Sequence, residues 1–141
     1  MTARICVAFV GSLAVAGCSS AAANDGPPAF PLAASWHYVA EQRLPSIAHL
    51  EGDIQVTHQS GLRFDGSIDV FLTDASGRAD RRTGLLAGRT LDATNVDFDA
   101  RLDDSDVRRH LGHLSGDTIS GEWAQSTGTL VASGTFRMVR R

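Results

Sequence analysis

Two histidines three residues apart, in the run HLGH at 110–113, are the first side chains whose types and spacing could do chemistry. Imidazole nitrogens bind zinc and similar ions, but only if they reach one point. On a helix a spacing of three brings two side chains together; on a strand it sends them to opposite faces. We expect a strand here, hence no shared metal ion, with one histidine solvated and the other packed or hydrogen-bonded near a barrel end. The run DDSD at 103–106 clusters carboxylates, as a calcium loop does. A calcium loop also needs further ligands and a glycine at a set offset, and these are missing, so the run reads as an acidic turn. Serines are plentiful, but none sits in G-x-S-x-G. No carboxylate pair stands apart from the many aspartates of the solvent faces. Catalytic partners meet in space rather than in sequence, so an enzyme has no positive support here; we expect no catalytic residue, no metal and no cofactor. The C-terminal run RMVRR is basic. It fits a solvated last strand with a frayed end, or a contact with anionic head groups or glycan, for which three arginines are few.

The elements that must position these residues are strands. In LRFDGSIDVFLT, Leu62, Phe64, Ile68, Val70 and Leu72 alternate with Arg63, Asp65, Ser67 and Asp69, the pattern of a half-buried antiparallel strand. Gly66 falls on the inner phase and marks a bulge or sharp bend. VDFDARL repeats the alternation with Val96, Phe98, Ala100 and Leu102 inward; DIQVTH does so with Ile54 and Val56, TISGEW with Ile119, Gly121 and Trp123, and LVASGTFRMVR with Leu130, Ala132, Phe136 and Met138. Turn runs such as HQSG, DASGRADRRTG, LDDSD and QSTG separate them. The expected strands are 53–58, 62–73, 84–91, 94–102, 107–114, 117–124 and 129–139. The segment SWHYVAEQRLP fits a strand through Trp36, Tyr38 and Ala40, or a helix through Trp36, Val39, Ala40 and Leu44; the all-β surroundings favour the strand. Connections this short exclude crossover helices, so the fold class is all-β: an antiparallel meander of seven to eight strands. Eight strands close a small barrel whose interior is filled by side chains or holds one small ligand. The aspartate-rich outer faces argue against a barrel in lipid, whose outside must be apolar. The pattern resembles the small meander barrels of the avidin and lipocalin kind, with no signature motif of either. Inward polar residues are few, and His58 at a strand end is the best candidate.

The chain starts MTARICVAFVGSLAVAGCSS. Arg4 supplies a positive n-region, and Ile5 to Ala16 form an apolar stretch shorter than the about 20 residues a spanning helix needs. The stretch ends in Val15, Ala16, Gly17 and Cys18, which resembles the lipobox of the bacterial lipoprotein signal position by position. The resemblance implies that residues 1–17 are a signal peptide, that Cys18 receives a diacylglyceryl group, and that cleavage leaves Cys18 first. Two or more acyl chains, at roughly 0.8 kcal/mol per buried CH₂, hold a protein stably on a membrane. Ser19 after the cysteine resembles the outer-membrane sorting pattern of Gram-negative lipoproteins. Cys6 lies within the signal, so the two cysteines leave the mature chain no free thiol. Residues 18–31 read as a lipid-anchored flexible tether, SSAAANDGPPAFP after the cysteine, with a reach of roughly 20 Å. Residues 32–141 then form the single barrel-like domain.

All 13 basic residues are arginines, and the formal net charge is −3. That balance speaks against a nucleic-acid partner. The expected protein is a cell-envelope lipoprotein, held on the membrane by its anchor and facing the periplasm from the outer membrane if the cell is Gram-negative. Its expected role is non-enzymatic binding or structure, with an envelope protein or glycan as partner. The rival roles are a carrier of a small apolar ligand inside the barrel and an envelope hydrolase. The bulky inward set favours a packed interior over a carrier cavity.

Overall fold

The computed structural model describes residues 29–104, 106–125 and 131–141. Cys18, the signal and most of the tether lie outside these residues, as does the inward-phase Leu130. Eight strands follow one another: β1 (Ala34–Leu44), β2 (Ala48–Ser60), β3 (Arg63–Asp74), β4 (Ala79–Thr90), β5 (Asn95–Arg101), β6 (Val107–Ser115), β7 (Thr118–Gln125) and β8 (Ser133–Arg140). Each pairs antiparallel with the next, and β8 returns to β1 to close the barrel. Closure pairs every strand on both sides, except where one strand outruns its neighbour: Ala79–Gly84 of β4 pair with β3 and have no partner on β5. The segment with two readings, 35–44, is strand β1. It pairs with β2 on one side and β8 on the other, and its alternation buries Trp36, Tyr38 and Ala40.

Two strands are longer than expected, for different reasons. β2 starts at Ala48 rather than residue 53, because Ala48 and Leu50 continue the buried phase of Ile54 and Val56 across Gly52. A Cβ on Gly52 would lie 2.1 Å from the Asp69 carbonyl oxygen, so this glycine permits a close approach of β2 to β3 and does not end the strand. β4 starts at Ala79 rather than residue 84. The polar run after Thr73 is a turn only as far as Arg78. There the Asp74 carboxylate accepts the Ser76 amide (2.9 Å), the Ser76 hydroxyl (2.6 Å) and the Arg78 amide (3.0 Å), and Gly77 takes the left-handed conformation at φ 82°. One aspartate thus closes the turn in five residues, and the charged residues beyond it occupy the solvated face of a strand.

The irregularity expected at Gly66 is present, but the extra residue is on the partner strand. Val56 pairs with Gly66 and His58 with Asp65, leaving Thr57 bulged on β2. A bulge advances the phase by one residue. This corrects the expectation for His58, which is exposed; Gln59 turns inward in its place. The Gln59 amide accepts from the Leu32 N–H (2.7 Å) and donates to the Phe30 carbonyl (2.9 Å).

The outer face is charged and internally paired. Arg81 holds Asp69 across β3–β4 (Nε–Oδ1 2.9 Å) and Arg109 holds Asp97 across β5–β6 (3.0 and 2.8 Å). These cross-strand pairs stabilise the ladder modestly.

Candidate functional site

The barrel interior is filled. Phe64, Phe98, Trp123, Phe136 and Met138 are buried on the inward phase, as their alternation requires, and Leu72 is partly buried against them. The space left between Leu32, Phe64, Phe98 and Met138 is about 10 Å³, about the room one water needs.

At the centre of this packing stands His110, fully buried. Its ring stacks on Phe98 (4.4 Å between centroids, 4° between planes) and meets Phe136 edge-on (4.9 Å). Nδ1 lies 2.9 Å from the Arg108 carbonyl oxygen, and Nε2 lies 2.9 Å from the Tyr38 hydroxyl. A carbonyl only accepts, so Nδ1 carries the proton and Nε2 accepts from Tyr38. Burial pushes the His110 pKa down to about 3 and the Tyr38 phenol well above its ordinary range. Both groups are therefore neutral at physiological pH. His113 points outward, as a spacing of three on a strand demands, and donates to Asn95 Oδ1 at 3.1 Å if its Nδ1 carries the proton. Among the described residues no three His, Cys, Asp or Glu side chains are arranged to hold a metal ion.

The two barrel ends differ. At one end the incoming chain is bolted down. Leu32 is buried, and its carbonyl accepts the Trp36 indole N–H at 3.0 Å. Arg140 lies over the Trp36 ring at 4.9 Å and donates to the Pro31 carbonyl. Arg141 pairs with Asp53 at 3.0 Å. The basic terminus expected to fray is thus in part a clamp: the inward phase of Phe136 and Met138 continues to Arg140. Arg137 remains exposed.

At the other end are the β1–β2, β3–β4, β5–β6 and β7–β8 connections. In the acidic run 103–106, whose Ser105 lies outside the described residues, Asp103 Oδ1 accepts the Asp106 amide at 2.8 Å, a bond that suits the turn expected there. Its second job was not legible. Asp106 grips the inward, buried Arg108 with both oxygens (2.8 and 2.9 Å), and Asp103 reaches Arg82 at 3.4 Å. The signal for Arg108 was available: alternation back from His110 puts it on the inward phase. Its guanidinium stacks over Trp123 at 4.6 Å. Arg108 Nη1 and Trp123 Nε1 are buried without a hydrogen-bond partner among the described residues. On the rim outside this cluster three apolar side chains stand in solvent: Leu44 at 54%, Ile47 at 71% and Val131 at 70% exposure. Leu44, the last residue of β1, pairs with Ser133 across β1–β8, so the β1–β2 connection that carries Ile47 lies beside the β7–β8 connection that carries Val131.

A shallow groove of about 650 Å³ also runs over the outer face of β3–β6. Arg63, Arg89, Arg109, Asp65, Asp97 and Asp99 line it together with Ala87 and Gly88. Three arginines and three aspartates line it, and two of them, Arg109 and Asp97, are paired with each other.

No family model and no curated protein matches the chain. The site therefore has to be judged by its own chemistry. At the end opposite the incoming chain it sets Leu44, Ile47 and Val131 above buried hydrogen-bond donors, whereas other exposed apolar side chains, Phe71, Leu85, Leu91 and Leu111, lie on other elements.

Proposed function

We propose that the protein is a lipid-anchored, extracytoplasmic, non-enzymatic lipoprotein that presents the rim of its barrel to a partner in the cell envelope. Cys18 is the lipidated residue, and the anchor faces the periplasm from the outer membrane if the source is Gram-negative. The observation that carries the reading is polarity of placement. Pro31 and Leu32 are fixed to one barrel end by Arg140, Gln59 and Trp36, while Leu44, Ile47 and Val131 are exposed at the other. A tether reaching the first end turns that end toward the bilayer and the apolar rim away from it. Exposed apolar side chains grouped on a soluble surface mark an interaction site more often than chance solvation.

The test has two arms. Cys18→Ala should abolish acyl labelling and membrane partitioning; unchanged partitioning removes the anchor from the account. Leu44→Gln with Ile47→Gln should leave partitioning and melting temperature intact while abolishing crosslinks to the envelope partner formed by a photoreactive residue placed at Ser46. Crosslinks that survive the double substitution remove the rim.

The carrier role has little to recommend it where the space between Leu32, Phe64, Phe98 and Met138 is about 10 Å³, against the 300 Å³ or more of ordinary ligand pockets. Fatty acids, biotin-like molecules and porphyrins should leave the melting temperature and the Trp123 emission unchanged. A ligand bound only by the native state must raise the melting temperature, so a saturable rise would reinstate the carrier.

A further inference from the structure

On the outer face of the β1–β2 pair, four titratable side chains form a chain across the two strands. His49 on β2 sits directly opposite Glu41 on β1. His49 Nδ1 lies 2.6 Å from Glu41 Oε1, and His49 Nε2 lies 3.4 Å from Glu51 Oε2. The other Glu51 oxygen lies 3.3 Å from His37 Nε2. Arg141 Nη2 lies 3.1 Å from His37 Nδ1. An arginine can only donate, so His37 Nδ1 accepts and its Nε2–H donates to Glu51. His37 thus faces a donor on one side and an acceptor on the other. His49 is not: both of its nitrogens face carboxylate oxygens, which only accept. A neutral imidazole carries one N–H and would turn a lone pair on one of the two glutamates.

We propose that the β1–β2 seam is a pH-sensitive clamp, in which doubly protonated His49 ties Glu41 of β1 to Glu51 of β2 and loss of its proton loosens the hairpin that carries Leu44 and Ile47. The hydrogen bond to Glu41 raises the His49 pKa from its ordinary value against a smaller opposing effect of burial, and Glu51 adds to the rise. The sign follows by linkage. A group whose pKa is higher folded than unfolded contributes stability that is fully present below the unfolded value, about 6.5, and is lost as pH rises through the folded value. The clamp is tighter in acid and looser in base.

The neighbouring elements set no competing charge against His49. From β3 the residue opposite is Thr73, which does not titrate, and Asp74 turns its carboxylate into its own turn. On β1 the next outward residue beyond Glu41 is Arg43, which is exposed. Asp53, two residues beyond Glu51, is engaged by Arg141 at 3.0 Å. When His49 is neutral, Glu41 and Glu51 remain as like charges on a cross-strand diagonal, since Glu51 stands opposite Val39, within reach of each other's long side chains. The groups are solvated, so the effect is that of a surface pair, at most about fivefold in an opening equilibrium. The clamp is a property of the seam and does not require the rim to be the binding surface.

Amide hydrogen exchange tests it on the full chain, corrected for the intrinsic pH dependence of exchange. Protection of the β1–β2 amides around Glu41 and His49 should fall by about two- to fivefold between pH 5.5 and pH 8.5, while the β5–β6 amides stay constant. His49→Gln should flatten the dependence, and Glu41→Gln should bring the His49 titration, followed by its imidazole proton resonances, down toward the ordinary value. Protection that does not vary with pH, variation that survives His49→Gln, or a His49 titration already at or below the ordinary value overturns the proposal.

Discussion

Asp106→Ala lowers stability by about 3–5 kcal/mol, the effect of leaving a buried charge without its partner. For a domain of this size that moves the melting temperature by on the order of 10–20 °C. The expectation rests on Arg108, which is 4% exposed and held by both Asp106 oxygens at 2.8 and 2.9 Å. The guanidinium cannot swing into water without leaving its place over Trp123. Truncating Asp106 removes the carboxylate that grips it, and the desolvated cation stays behind. Replacing both partners, Asp106→Ala with Arg108→Met, should recover most of the loss, because a well-packed apolar side chain substitutes for a buried ion pair at little net cost. Melting of the two variants beside the parent decides the matter. A single variant within about 1 kcal/mol of the parent would mean that Arg108 reaches solvent or another acceptor.

A charge placed one residue away from its proper face is as costly. Phe98→Asp should prevent assembly of a stable barrel. Removing a buried phenylalanine costs about 3–5 kcal/mol, and the carboxylate that replaces it has no cation and little water. Phe98 stacks on His110 and meets Phe64 and Phe136, so the defect falls where four aromatic rings converge. Its neighbour Asp99 is exposed on the opposite face, and Asp99→Asn should change stability by about 0.5 kcal/mol or less. Far-UV circular dichroism and thermal melting measure both. The reverse ordering would mean the register is displaced by one residue, since a slip of one exchanges the two faces.

The strands and their inner faces were legible because a half-buried strand writes its environment into every second residue. Phe64, Ile68 and Val70 on β3, and Val96, Phe98 and Ala100 on β5, are buried as that alternation demands. The same rule separated His110 from His113 without any knowledge of the fold. Short connections made the meander legible too, since neighbours joined by a few residues have nowhere to pair except with each other. What defeated the alternation was any event that leaves no apolar trace. The first half of β4 is polar because its face is solvated, so it resembles a loop in sequence, although the bonds around Asp74 already close the turn by Arg78. His58 was misplaced because a bulge at Thr57 changes the phase through backbone pairing, and no side chain announces it.

By itself the sequence determined local quantities: the period of two, the turn residues, the sign of each face, and the lipobox-like run ending at Cys18. These depend on neighbours a few residues apart, so one chain read in order contains them. Only the tertiary structure decided what depends on residues far apart meeting. Closure of β8 on β1 joins Trp36 to Arg140 and bolts the incoming chain to one end. The Tyr38–His110 hydrogen bond spans 72 positions. The filling of the interior and the division of the barrel into a clamped end and an apolar rim are sums over eight strands. Such sums depend on the register and twist of every strand at once, and no single segment of the chain carries them.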